Sequence, residues 1–118
     1  MAFFIFFSCE QINRSLNYVT IDSPKSDAII TGIVTIECSF NNTSDIDVVE
    51  LWIDENYSGI SEKSSPYSLS WDTSNYEDKE YSIIVRLIYK NGSYIDSEPL
   101  LINLYKTVEL FGQYYSVE

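Results

Sequence analysis

The chain has no histidine, and only seven Lys and Arg stand against eighteen Asp and Glu. The first absence removes the commonest general base, the commonest zinc ligand and the usual partner of a nucleophilic Ser or Cys. The shortage of cations leaves a formal net charge of -11. A surface that acidic repels phosphate backbones and anionic lipid, so neither nucleic acid nor direct electrostatic docking to a membrane is expected. Cysteine is scarce too: Cys9 and Cys38 stand alone, with no C-x-x-C or other ligand spacing. No apolar run approaches the roughly twenty residues of a membrane-spanning helix. Apolar residues at helical spacing are also missing, which turns attention to strands.

What is present is globular in composition: 45% hydrophobic and 15% aromatic, with ten Tyr and six Phe. At 118 residues one self-supporting core is expected. From Tyr18 onward, short alternating segments are separated by turn chemistry. Tyr18–Asp22 is a first strand, stopped by Ser23-Pro24. Gly32–Phe40 is the clearest, with Val34, Ile36, Cys38 and Phe40 on one face. Val48–Asp54 puts Val49, Leu51 and Ile53 inward and Glu50, Trp52 and Asp54 outward; a short Tyr57–Ile60 strand follows. Tyr67–Asp72 alternates Tyr67, Leu69 and Trp71 with Ser68, Ser70 and Asp72. Glu80–Lys90 carries Tyr81, Ile83, Val85, Leu87 and Tyr89 on one face. Asn91-Gly92 predicts a type I′ hairpin into Ser93–Asp96 and Leu100–Tyr105, interrupted at Pro99. Seven or eight strands at this spacing predict an all-β sandwich.

The flanks read differently. Phe3–Phe7 (FFIFF), then Ser8 and Cys9, resembles the signal of bacterial lipoproteins, in which a small residue precedes a Cys that is acylated. Residues 1–9 are therefore expected to be a truncated signal segment, with Cys9 as the lipidation candidate and the chain's one route to a membrane. Residues 10–17 (EQINRSLN) read as a polar tether. The sandwich is assigned to residues 18–106. The tail, 107–118, is aromatic and strand-like; it resembles the segment that opens a leucine-rich repeat array in some bacterial surface proteins, and is expected to begin a further domain.

Four segments together resemble a bacterial immunoglobulin-like domain family of exported and cell-surface proteins: Val19-Thr20-Ile21 before Ser23-Pro24, Gly32–Ile36, Val49–Asp54, and Ser65-Pro66-Tyr67-Ser68-Leu69-Ser70-Trp71-Asp72-Thr73. The last is the most specific. The resemblance implies an immunoglobulin-like antiparallel β-sandwich of about seven or eight strands, and an exported spacer or recognition module that is not an enzyme. One departure is the missing Gly after Asp54, where Glu55-Asn56 is expected to make a longer turn. Trp71 is expected to fill the space between the sheets, with Asp72, Thr73 and Ser74 capping the next loop. Cys38 reads as a small buried hydrophobe, since no Cys faces it.

Candidate ligand residues are the aromatics not assigned to the core: Trp52, Tyr57, Tyr76 and Tyr94, Trp52 first because its register points outward. They suit either a protein or a glycan; the glycan alternative makes the chain an accessory domain of a secreted hydrolase. Carboxylates at segment ends (Asp22, Asp27, Asp45, Asp47, Asp54, Glu55, Asp72, Asp78, Glu80) follow no D-x-D-x-D-G loop and read as solvated surface rather than a calcium site. No catalytic residue, metal or cofactor is assigned. The module is expected to be monomeric within a larger chain.

Overall fold

The computed structural model describes residues 17–110 and 113–116. Nine strands build two facing sheets: β1 (Val19–Ser23), β2 (Ile29–Ile30), β3 (Ile33–Phe40), β4 (Ile46–Ile53), β5 (Asn56–Glu62), β6 (Leu69–Asp72), β7 (Lys79–Tyr89), β8 (Tyr94–Asp96) and β9 (Leu100–Leu104). The smaller sheet runs β1-β3-β6. The larger runs β2-β9-β7-β4-β5, with β8 also on β7. There is no helix among the described residues. The signal segment 1–9, with Cys9, and all of the tether but Asn17 lie outside those residues.

Alternation decides what lies between the sheets. Val49, Leu51 and Ile53 of β4 meet Ile83, Val85 and Leu87 of β7, while Ile36, Leu69 and Trp71 close the core from the other sheet. Trp71 is fully buried, and Tyr76 and Tyr81 stand edge-to-face with it at 5.2 and 5.9 Å. The residues after it fasten the loop to the sandwich. Asp72 Oδ1 accepts the Ser74 N–H at 3.0 Å. Thr73, fully buried, donates both its N–H and its hydroxyl to the Gly32 carbonyl, at 3.0 and 2.8 Å. The Trp-Asp-Thr signature thus supplies core volume, a cap and a cross-strand tie in three consecutive residues. Cys38 is free and half-buried, and burial, with Asp22 beside it, pushes its thiol up to about 11.

Four details differ from the sequence expectations. The β4–β5 turn is short, not long: Ile53 pairs with Asn56, so Asp54 and Glu55 alone form it, at φ 50° and 70°. Both residues adopt the left-handed conformation of a type I′ turn without glycine. The β7–β8 loop is not the two-residue type I′ turn expected at Asn91-Gly92. Tyr89 N–H bonds to Ser93 O, leaving three residues in the loop, and only Gly92 has positive φ, 91°. Asn91 determines this choice, because its Oδ1 accepts from both Ser93 N and Ser93 Oγ. Next, β6 begins at Leu69 rather than Tyr67, which turns at φ 63° to set its ring edge-on to Phe40 at 5.6 Å. Finally, β2 is a ninth strand, and it runs parallel to β9.

Pro99 interrupts the returning strand as its chemistry requires. One extra residue separates the β7–β8 and β7–β9 registers, and buried Ser97 fills the gap: its N–H donates to Val85 O and its Oγ accepts from Val85 N, both at 2.9 Å. Beyond the sandwich, β10 (Thr107–Leu110) and β11 (Gln113–Ser116) pair antiparallel with each other and with neither sheet.

Candidate functional site

Five of the seven large hydrophobics most exposed in the described residues fall on one surface, the outer face of the larger sheet. They are Tyr57 (45%), Tyr94 (53%), Leu101 (43%), Ile29 (57%) and Tyr105 (41%). The strand period explains the clustering: each neighbours an inward residue, as Ile30 does Ile29 and Ile102 does Leu101. The opposite outer face, on the smaller sheet, carries Thr20, Thr35, Glu37, Ser39, Ser70 and Asp72, with Ile33 the large exposed hydrophobe within its strands and Tyr18 just before β1.

Across the larger sheet the sequence-predicted aromatics assemble into a stack. Register places Tyr57 beside Trp52, and Tyr94 diagonal to Arg86 through β7. The Arg86 guanidinium carbon lies 4.1 Å from the Trp52 ring centroid and 4.0 Å from that of Tyr94. On the other side of Trp52 the Tyr57 ring approaches to 5.8 Å at 40°. Because β4 lies between β5 and β7, Tyr57 and Arg86 flank Trp52 from the two neighbouring strands. Trp52 is half-buried in this stack, with the guanidinium over its ring. Its Nε1 is also engaged, donating to Glu50 Oε1 at 3.0 Å.

Arg86 is held by more than the rings. Its Nε and Nη2 bond Asp96 Oδ1 and Oδ2 at 2.8 and 3.1 Å, a fork-to-fork pair. The hydrogen bond to Asp96 raises its already high pKa. The Arg86 charge is thus met within the stack by Asp96, with Glu50 beside it, and the stack ends in two exposed tyrosines.

Tyr76 does not join this surface. It packs against Trp71 and Tyr81 at the end of the sandwich, where the two rings meet it edge-on at 5.2 and 5.8 Å. The residue that sequence reasoning missed is Arg86, one cation in a strand otherwise read for its inward residues; its outward parity was the available signal.

The carboxylates at the segment ends are tied up separately. Asp54 accepts from Lys79 Nζ at 2.7 Å and from Ser82 N at 2.9 Å. Asp78 accepts the Lys106 N–H at 3.1 Å, and the Lys106 ammonium also donates to the Tyr76 carbonyl. No group of three or more Cys, Asp or Glu converges among the described residues.

A recess lies at the end of the sandwich where β3 passes to β4 and β7 to β8. It encloses about 530 Å³ and is lined by Asn17, Asn42, Ser44, Asp45, Tyr89, Lys90, Asn91 and Ser93. The Tyr89 hydroxyl is buried and has no hydrogen-bond partner among the described residues.

The fold is shared with solved structures. The chain superposes on the fibronectin(III)-like modules of Clostridium thermocellum CbhA with a TM-score of 0.64 at 18% identity, over 73% of this chain and 93% of that one. It is similar also to the endo-beta-1,4-mannanase from Thermotoga petrophila, with a TM-score of 0.61 at 12% identity. There the match covers 76% of this chain but only 20% of the enzyme, so it spans one part of a much longer protein. At such identities these likenesses establish architecture alone. No curated protein matches the chain. Residues 18–85, more than half of its length, match the bacterial Ig domain family, and the chain belongs to that family.

Proposed function

We propose that this chain is a non-catalytic spacing and recognition module of an exported bacterial protein, attached to the cell envelope through Cys9. The observation that carries the reading is the path of the chain. β1 begins at Val19, opposite Phe40, at the same end as Tyr89, which pairs with Ile46 across the β3–β4 loop. β9 leaves at Leu104, opposite Lys79. The chain enters at one end of β7 and departs at the other, about 30 Å away for an eleven-residue strand. A module so connected holds its neighbours apart, and its apolar outer face remains available to a protein partner.

The test is surface display. Expressed behind a complete signal sequence, the chain is expected in the envelope fraction of intact cells, accessible to antibody and labelled by an alkyne analogue of palmitate. Cys9→Ser should abolish the label and release the protein. A cytoplasmic, unlabelled product would overturn the reading. The glycan alternative has one favouring observation, the likeness to part of a mannanase; against it, the Arg86 guanidinium lies over the Trp52 ring on which a sugar would stack.

A further inference from the structure

We propose that the outer face of the larger sheet docks a basic amphipathic segment of another protein, apolar along its middle and carrying Lys or Arg on both flanks. The proposal rests on the recognition role given above and names the chemistry of the partner. Register joins the exposed residues of that face into one band. Tyr57 is opposite Trp52, and Trp52 is opposite Ile84. Leu101 pairs with Ser82, which sets it diagonal to Ile84. Ile29 pairs with Asn103, which sets it diagonal to Leu101. The band takes one residue from each of β5, β4, β7, β9 and β2, so it crosses the whole sheet, roughly 19 Å at ordinary strand spacing. Tyr57, Leu101 and Ile29 are exposed, and Trp52 and Ile84 are half-buried within the row. Single exposed apolar residues need no partner, but a continuous row marks an interaction surface.

Charge decides what covers it. Carboxylates flank the band on both sides: Glu50 and Asp96 on one, Asp54 and Glu80 on the other. Two of the four are met by the chain's own cations. Arg86 holds Asp96 through Nε and Nη2, and Lys79 Nζ holds Asp54 at 2.7 Å. Glu50 stands beside the already paired Arg86 and accepts the Trp52 Nε1–H, while Glu80 is exposed. Six residues of β7 separate Glu80 from Arg86, which is opposite Glu50, so these two carboxylates lie about 20 Å apart with the band between them.

A partner matched to that pattern carries cations on both sides of an apolar stripe. The chain's charge of -11 draws such a segment in and repels an anionic lipid surface. A second copy would set Glu50, Glu80 and another charge of -11 against their own kind. A sheet face, unlike a strand edge, offers no main-chain groups, so recognition falls to side chains and an amphipathic helix is a suitable probe.

The experiment is an amide NMR titration of the full chain with three helical peptides of about 14 residues, long enough to span the band. All carry one leucine stripe, flanked by Lys, by Gln or by Glu. The Lys-flanked peptide is expected to give saturable shifts around residues 29, 52, 57, 84 and 101, with affinity falling as salt rises from about 50 to 300 mM. The Gln-flanked peptide should bind at least about tenfold more weakly and the Glu-flanked peptide not at all. Tyr57→Ser and Leu101→Ser should each weaken binding about three- to tenfold without changing the charge. Ile33→Ser, on the opposite sheet, should bind like the parent. No binding of the Lys-flanked peptide overturns the proposal, as does equal affinity for all three or a loss in Ile33→Ser as large as in Leu101→Ser. A sedimentation mass that doubles without peptide also overturns it, because the face would then join two copies. The titration does not depend on Cys9, so surface display can fail while binding holds, and the reverse.

Discussion

Glu55 occupies a position that suits glycine: φ is 70°, in a turn whose other residue, Asp54, is also left-handed. Holding an ordinary side chain there costs roughly 1–2 kcal/mol. A glycine relieves this but loses about 0.4–1 kcal/mol through the freer unfolded chain. Glu55→Gly should therefore raise stability by about 0.5–1 kcal/mol, read as a higher urea midpoint with an unchanged slope. Sequence reasoning lengthened this turn because it lacked Gly. What holds the tight turn is chemistry visible only in three dimensions. Partial burial acts to raise the pKa of Asp54, but the Lys79 ammonium and the Ser82 N–H outweigh it and hold the carboxyl below its ordinary 3.8. A depressed carboxylate stabilises the fold above its unfolded value and loses that contribution as pH falls through the folded one. Asp54→Asn keeps a residue that tolerates the left-handed backbone. It should flatten the decline of stability below about pH 4 and leave the profile from roughly pH 5 to 8 parallel to that of the parent, as acid titration of the melting temperature would show.

At the scale of the strand, parity made the core legible and left the outer stack hidden. Val49, Leu51 and Ile53, and the Tyr81-to-Leu87 alternation, were read correctly because hydrophobic period and burial coincide. The stack Tyr57, Trp52, Arg86, Tyr94 depends on which residues of four strands stand side by side, and loop lengths and bulges decide that. β4 and β5 shift register between Leu51 and Trp52, and the β7–β8 loop holds three residues rather than two. A one-residue error in either would move the tyrosine away. The same adjacency makes the stack a stiffener of the sheet. Arg86→Lys keeps the charge but removes the planar fork that pairs with Asp96 and lies between two rings. It should cost about 1 kcal/mol and shift the emission of Trp52. Emission unchanged from the parent would mean that the guanidinium does not rest on the indole. Trp71→Ala, by contrast, opens the core itself and should cost about 3–5 kcal/mol, read by urea denaturation.

For the whole molecule, the feature that no sequence period announced is the parallel pair of β2 and β9. Two residues in β2 are too few to show alternation, yet this segment joins the first part of the chain to the last. Asp27 N donates to Leu101 O, Asn103 N to Ala28 O and Tyr105 N to Ile30 O, at 2.7, 2.9 and 3.3 Å. The chain enters and leaves at opposite ends, and β2 and β9 point the same way. Tension along the module therefore slides these two strands past each other and strains all three bonds together, instead of opening them one by one. In the spacing role proposed above, such resistance would lie where tension is applied. Asn103→Pro removes the middle donor and leaves the pairing of β9 with β7 intact, because successive residues of a strand direct their N–H groups to opposite neighbours. Chemical stability should fall by about 1–2 kcal/mol, the worth of that main-chain bond and of the Asn103 side-chain bond to the Asp27 carbonyl. The force needed to unfold the domain between its two ends, measured by optical trap or atomic force microscope, should drop markedly. An unchanged force would place the resistance elsewhere, in the longer antiparallel ladder between β1 and β3.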